Sequence, residues 1–342
     1  MAYSINAKDY FNTKLYTGND STNAQTGVGF QPDWVWLKNR STGSNKLMDA
    51  VRGSSSSLCT NNSNAAEGAD YFASFDSDGF TVATSSSDIN ADAQNYVGWN
   101  WKANGQGSSN TNGTINSTYT SANTTSGFSI VSYTGNGTLG ATVGHGLGQT
   151  PGLFLTKRLS GTSSWGMYHQ STGAGGFMEL NSTNALQSNT AYFNNTAPTS
   201  SVFSIGTDSI NNTNGSTYIA YCFAEKTGFS KFSSYTGNGN ADGPFVYTGF
   251  KPAFIILKTS TIASNDWHIF DSKRIGYNTS NYSLKPNSTA AEVTSLNIDL
   301  LSNGFKLRGT QNDFNGNGGT YIYMAFAEAP LVGTNNVPAT AR

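Results

Sequence analysis

The sequence predicts an all-β protein made of three tandem antiparallel β-sandwich or jelly-roll units related by an internal repeat. Three observations predict it: one phrase recurs three times, apolar residues come in short runs bounded by turn formers, and helical spacing is almost absent. The phrase is Tyr16-Thr17-Gly18-Asn19, Tyr133-Thr134-Gly135-Asn136 and Tyr235-Thr236-Gly237-Asn238, at spacings of 117 and 102 residues. Each copy leads to a Pro and an apolar run closed by Lys: Pro32 to Lys38, Pro151 to Lys157 and Pro252 to Lys258. Each ends on an aromatic strand: Tyr96 to Trp101, Tyr218 to Phe223 and Tyr321 to Phe326.

The strand signature recurs inside each unit. Phe128-Ser129-Ile130-Val131-Ser132-Tyr133 alternates, Val202-Phe203-Ser204-Ile205 is a short apolar run, and Asp78-Gly79 and Asn303-Gly304 open hairpins in one register, where positive φ is expected. The expected boundaries are residues 1–103 for the first unit, 104–126 for a Gly/Ser/Thr/Asn-rich linker, 127–226 for the second unit, and 227–342 for the third with a C-terminal tail. The linker is expected to be exposed, and the direct junction at Glu225-Lys226-Thr227-Gly228 to make units two and three the stiffer pair.

Only 11% of the 342 residues are charged, and 19 basic against 20 acidic side chains give a net charge of −1. No electrostatic footprint for nucleic acid or anionic lipid follows from that balance. Disorder is excluded by 20 Phe, 17 Tyr and 6 Trp. No apolar run reaches the length of a spanning helix, and Met1-Ala2-Tyr3-Ser4-Ile5-Asn6 lacks the basic and apolar regions of a signal peptide. Cys59 and Cys222 form no ligand cluster and read as free, buried thiols.

Candidate chemistry is sparse, and no catalytic, cofactor-binding or metal site is assigned. His145, His169 and His268 lie in separate contexts without a second ligand at metal spacing. Asp76-Ser77-Asp78-Gly79 is a fragment of a calcium loop that reads better as a turn. Glu225 and Glu328 share a register that Ala103 occupies in the first unit, so they read as architecture rather than as a glycosidase pair. Asp49 with Arg52 and Asp271 with Arg274 read as structural ion pairs. Gly144-His145-Gly146-Leu147-Gly148 precedes a strand and reads as a loop. Trp34, Trp36, Trp99 and Trp101 alternate on their strands and read as core, and Lys38, Lys157 and Lys258 as solvated edge charges.

Several of these segments together resemble a repeat domain of structural proteins from marine tailed phages, including cyanophages. They are Tyr16 to Asn19, Gly27 to Arg40, Asp49-Ala50-Val51-Arg52-Gly53, Ser74 to Phe80, Val97 to Lys102, and Tyr321 to Glu328. The second unit departs most, with Gly148-Gln149-Thr150-Pro151 and with His169 in place of Asp49 and Asp271. The resemblance implies a non-enzymatic virion component without cofactor, assembled in the host cytoplasm, with other virion proteins and its own copies as partners. The first expectation is a surface appendage of tail-fibre or receptor-binding type that contacts a host glycan or surface protein through sandwich loops. The alternative is a capsid decoration (cement) protein, which the lack of a heptad segment favours. A free lectin or polysaccharide depolymerase comes third.

Overall fold

The computed structural model describes residues 5–83 and 86–330. Met1 to Ser4 and the tail after residue 330, which the third expected unit includes, lie outside the described residues. The described chain is all-β, with antiparallel ladders and only two short helical turns, Ala7–Asp9 and Thr190–Phe193. None of its helices is long and apolar enough to cross a membrane.

Three large sheets form around the repeated segments. In the first, Phe11–Thr17 lies beside Asn95–Trp101, which lies beside Trp34–Asn39 and then Lys46–Asp49. In the second the same order is Phe128–Thr134, Thr217–Phe223, Leu153–Arg158, Gly166–His169, and in the third Ser230–Thr236, Thr320–Pro330, Phe250–Thr259, His268–Asp271. Register explains the recurring phrase. Tyr16 faces Tyr96, Tyr133 faces Tyr218 and Tyr235 faces Tyr321, and the rings stack at 5.1, 5.3 and 5.0 Å. The first tyrosine of each pair donates its hydroxyl to a loop carbonyl, at Ile89, Asn211 and Phe314. The second accepts from a backbone N–H, at Ala91, Thr213 and Gly316. A Cβ on Gly18, Gly135 or Gly237 would stand 2.1, 2.6 or 2.4 Å from a carbonyl oxygen of that same loop, so only glycine fits.

Smaller sheets cover one face of each large sheet: Asn23–Thr26, Gly79–Val82 and Phe72–Asp76; Ala141–Gly144 with Val202–Ile205; and Phe245–Tyr247, Gly304–Leu307 and Ile298–Leu301. Val35, Leu37 and Met48 of the first large sheet pack on Phe72, Phe80 and Val82 beneath the small one. The hairpin glycines need one correction. Gly79 has φ +150°, whereas Gly304 does not have positive φ; it is glycine because a Cβ there would stand 2.1 Å from the Val246 carbonyl oxygen.

The opposite faces of the three large sheets meet in one aromatic core. Trp34 packs on Phe128 and Tyr221 at 5.6 and 5.0 Å, Trp101 on Phe254 at 5.3 Å, and Phe326 on Phe11 and Phe223 at 5.5 and 5.9 Å. All four tryptophans of the first set are therefore core. Because the first large sheet shares this core with both others, units two and three are not a separate stiff pair. The 104–126 tract is likewise no free linker. Tyr119–Asn123 pairs with Phe128–Thr134, Ile115 bridges to Val143, and Ser117, Ser121 and Ser126 are buried and hydrogen bonded.

Since Phe326 touches rings from all three sheets, Phe326→Ala is expected to cost about 3–5 kcal/mol. Urea unfolding followed by tryptophan fluorescence and by far-UV circular dichroism should shift together as one transition. A shift in circular dichroism alone, with the fluorescence transition unmoved, would contradict the shared core.

Candidate functional site

The lysines that the sequence reads as exposed edge charges are fully buried. Each lies near the end of its strand at a seam between two large sheets, where one backbone carbonyl of the neighbouring set accepts from its ammonium. Lys38 Nζ donates to Thr42 O and Gly43 O at 3.1 and 2.8 Å and to Thr289 O at 3.5 Å. Lys157 Nζ donates to Ser63 O, Arg158 O and Ser163 O at 3.2, 3.3 and 2.8 Å. Lys258 Nζ donates to Thr183 O at 3.2 Å. Two further bonds hold the same register at every seam. The residue three after each cross-seam acceptor donates its backbone N–H to the residue two after the lysine: Glu292 to Arg40, Ala66 to Leu159 and Leu186 to Ser260, at 2.9, 3.0 and 2.9 Å. Four residues before each acceptor, the carbonyls of Lys285, Cys59 and Glu179 accept from Asn45 Nδ2, Trp165 Nε1 and Trp267 Nε1 at 3.1, 2.9 and 3.0 Å. Seams run first to third, second to first and third to second, so the three sets close on themselves. Burial pulls each of the three lysines down to about 8.

The other sequence candidates are spread through this framework. Asp49 pairs with Arg52 and Asp271 with Arg274, each at 2.6 Å, with both aspartates and Arg274 buried. Each aspartate also receives a bond from another set, Tyr221 OH to Asp49 at 2.7 Å and Trp99 Nε1 to Asp271 at 3.1 Å. His169, at the matching position, lies 3.2 Å from Tyr323 O, and burial holds it down near 4. His145 sits against Thr199 O, and His268 between Ser283 Oγ and Asp313, both lowered by burial. Asp76 accepts from Ser74 and Thr81 hydroxyls, and Asp78 from the Gly27 and Gly29 amides, which hold its carboxyl below the usual range. Glu225 receives the Phe232 amide and Lys231, while Glu328 faces Lys251 at 3.7 Å. Cys59 and Cys222 are free and buried. Among the described residues, no three His, Cys, Asp or Glu group as metal ligands. The structure does not bring these candidates together in one cleft.

Surface features that sequence reasoning missed lie elsewhere. On the outer face of the third small sheet, Phe245 and Tyr247 are 45% and 58% exposed, while Val246 between them is buried. Alternation puts both rings on one side of the strand. The residues at the corresponding registers of the other small sheets are Ala24 and Thr26, both exposed, and Thr142 and Gly144, of which Gly144 is buried. The only warning in the sequence was this mismatch at one register, because an aromatic on a strand ordinarily reads as core. A second feature is an open trough of about 420 Å³, lined by Ser108, Asn110, Asn112, Thr120 and Gly146, where the polar tract lies over the second set.

Residues 6–330 match the family described as a domain of unknown function, DUF7483. The chain belongs to this family. No curated protein and no solved structure matches it. The DUF7483 match runs through all three large sheets and across every seam, so the family's unit includes the shared core.

The seam lysines set a pH dependence. Their folded value of about 8 lies below the ordinary 10.5, so between those values the unfolded chain holds more protons and stability rises with pH. Tyr16, Tyr133 and Tyr235 are raised by burial and reverse the trend above about 10. Urea unfolding should therefore show stability rising from pH 8 to 9.5, on the order of 1 kcal/mol per lysine. Replacing the three lysines by Met should flatten that limb; a limb that persists in the triple variant would contradict the assignment.

Proposed function

We propose that the chain is a non-catalytic structural protein of a tailed-phage particle, a surface appendage of tail-fibre or receptor-binding type. In this reading it consists of three homologous sandwich units closed into a ring, and contacts a host surface from its outer loops and sheet faces. The observation that carries the reading is the use of the titratable side chains. Asp49, Asp271, His169 and the three seam lysines are each spent in separate buried contacts between the sets, and His145 and His268 in buried contacts of their own set, so none of them converges in a cleft. A rigid, nearly uncharged body of this kind suits display in many copies, where weak contacts multiply. The segment resemblance to marine phage structural proteins supports the same reading.

Decoration of the capsid lattice is the alternative, because a closed ring that offers outer faces in three directions also suits contact with several neighbouring subunits. A particle reconstruction tests both. Density that fits the three-set body at the tail is expected; density on the icosahedral lattice would select the cement role instead, and absence from the particle would overturn both. Release of reducing sugar from host envelope polysaccharide by the purified protein would overturn the non-catalytic part.

A further inference from the structure

We propose that the outer face of the third small sheet is a sugar-binding platform that takes a neutral pyranose unit of a glycan. The proposal deepens the attachment reading above and rests on it only for the biological source of the glycan.

The face is laid out in two rows across three strands. One row is apolar: Tyr247, Gly304 and Leu301 stand side by side in register. The Phe245 ring leans diagonally over Gly304, where its Cε2 would lie 3.0 Å from an added Cβ, and the Tyr247 ring lies 3.8 Å from the Cβ position of Gly249. Both rings therefore lie down against glycine backbone. The second row runs from aromatic to charged: Phe245, Lys306 and Asp299 are in register, so charged groups begin where the aromatic floor ends. Lys306 Nζ and Arg308 Nη1 share Asp242 Oδ1 at 2.8 and 3.4 Å, and Arg308 Nε bonds Asp299 at 2.6 Å. Asp242 is open to solvent. Two cations and two carboxylates sum to no net charge.

Such a face matches the chemistry of a pyranose. Its axial C–H groups form an apolar side that packs on aromatic rings, and its equatorial hydroxyls need donors and acceptors around the edge. Size decides against a protein partner. Two half-exposed aromatic side chains offer on the order of 200 Å², against roughly 800 Å² per partner in a stable protein interface. The balanced rim decides against an anionic sugar, which would gain from the cations only by displacing their carboxylates. The first and second small sheets lack the aromatic pair, so one platform per chain is expected.

The test is saturation-transfer NMR on the full chain with four probes: the methyl glycosides of glucose, mannose and galactose, and N-acetylneuraminic acid as the anionic arm. Transfer to ring protons of at least one neutral probe is expected, weaker for the anionic one. Phe245→Ala with Tyr247→Ala should reduce it at least tenfold, while Leu139→Ala, which removes an exposed apolar side chain elsewhere, should leave it unchanged. Absence of transfer from every neutral probe, equal transfer in the double variant, or stronger transfer to the anionic probe would each overturn the proposal. Failure here with the protein still found at the tail would sink the platform and leave the attachment reading standing.

Discussion

Three buried lysine side chains, each reaching a backbone carbonyl of the next set, join the large sheets to one another and hold the molecule closed. Lys38, Lys157 and Lys258 each stand at the end of a strand that their own sheet cannot solvate, and a loop of the next set supplies part of the acceptor shell. Opening any seam would break that contact and admit water to the core on which all three large sheets pack. The same loop gives an amide to the strand end and takes a side-chain N–H four residues before the lysine's acceptor, so position and orientation are set together. With heterologous contacts of this kind, the geometry must either close or propagate, and three sets bring the first back against the third.

Closure explains how titratable side chains are distributed. Asp49 and Asp271 neutralise their own arginines and also accept from another set, which ties each ion pair to a seam. His169 replaces the aspartate at the third such position and serves as a neutral imidazole against a carbonyl. Groups committed in this way cannot change protonation without loosening the core. The outer faces of the small sheets lie away from these contacts, and their residues differ from set to set, with the exposed aromatic pair Phe245 and Tyr247 in the third.

Much of the fold was legible in the sequence because its causes are local. The Tyr-Thr-Gly-Asn phrase, alternating runs and turn glycines all act within a strand or hairpin, and they located the central strands of each large sheet. Burial of the lysines was illegible because the acceptors of Lys38 and Lys157 include residues 251 and 94 positions away. The 104–126 tract was misread for a related reason: its polar side chains look like solvated linker, yet Ser117, Ser121 and Ser126 satisfy buried backbone groups. Asn90, Asn212 and Asn315 were missed although they share one register, each buried and each receiving the amide of the asparagine that ends the recurring phrase. Aligning the three copies beyond their apolar positions would have found them.

Native-state hydrogen exchange at the seam amides of Ala66, Leu186 and Glu292 tests the closed ring most directly. The account predicts that all three exchange only through global unfolding, with one common opening free energy that falls together when any one seam lysine is replaced by Ala. Exchange of one seam amide well ahead of the other two, or a lysine replacement that loosens only its own seam, would contradict it.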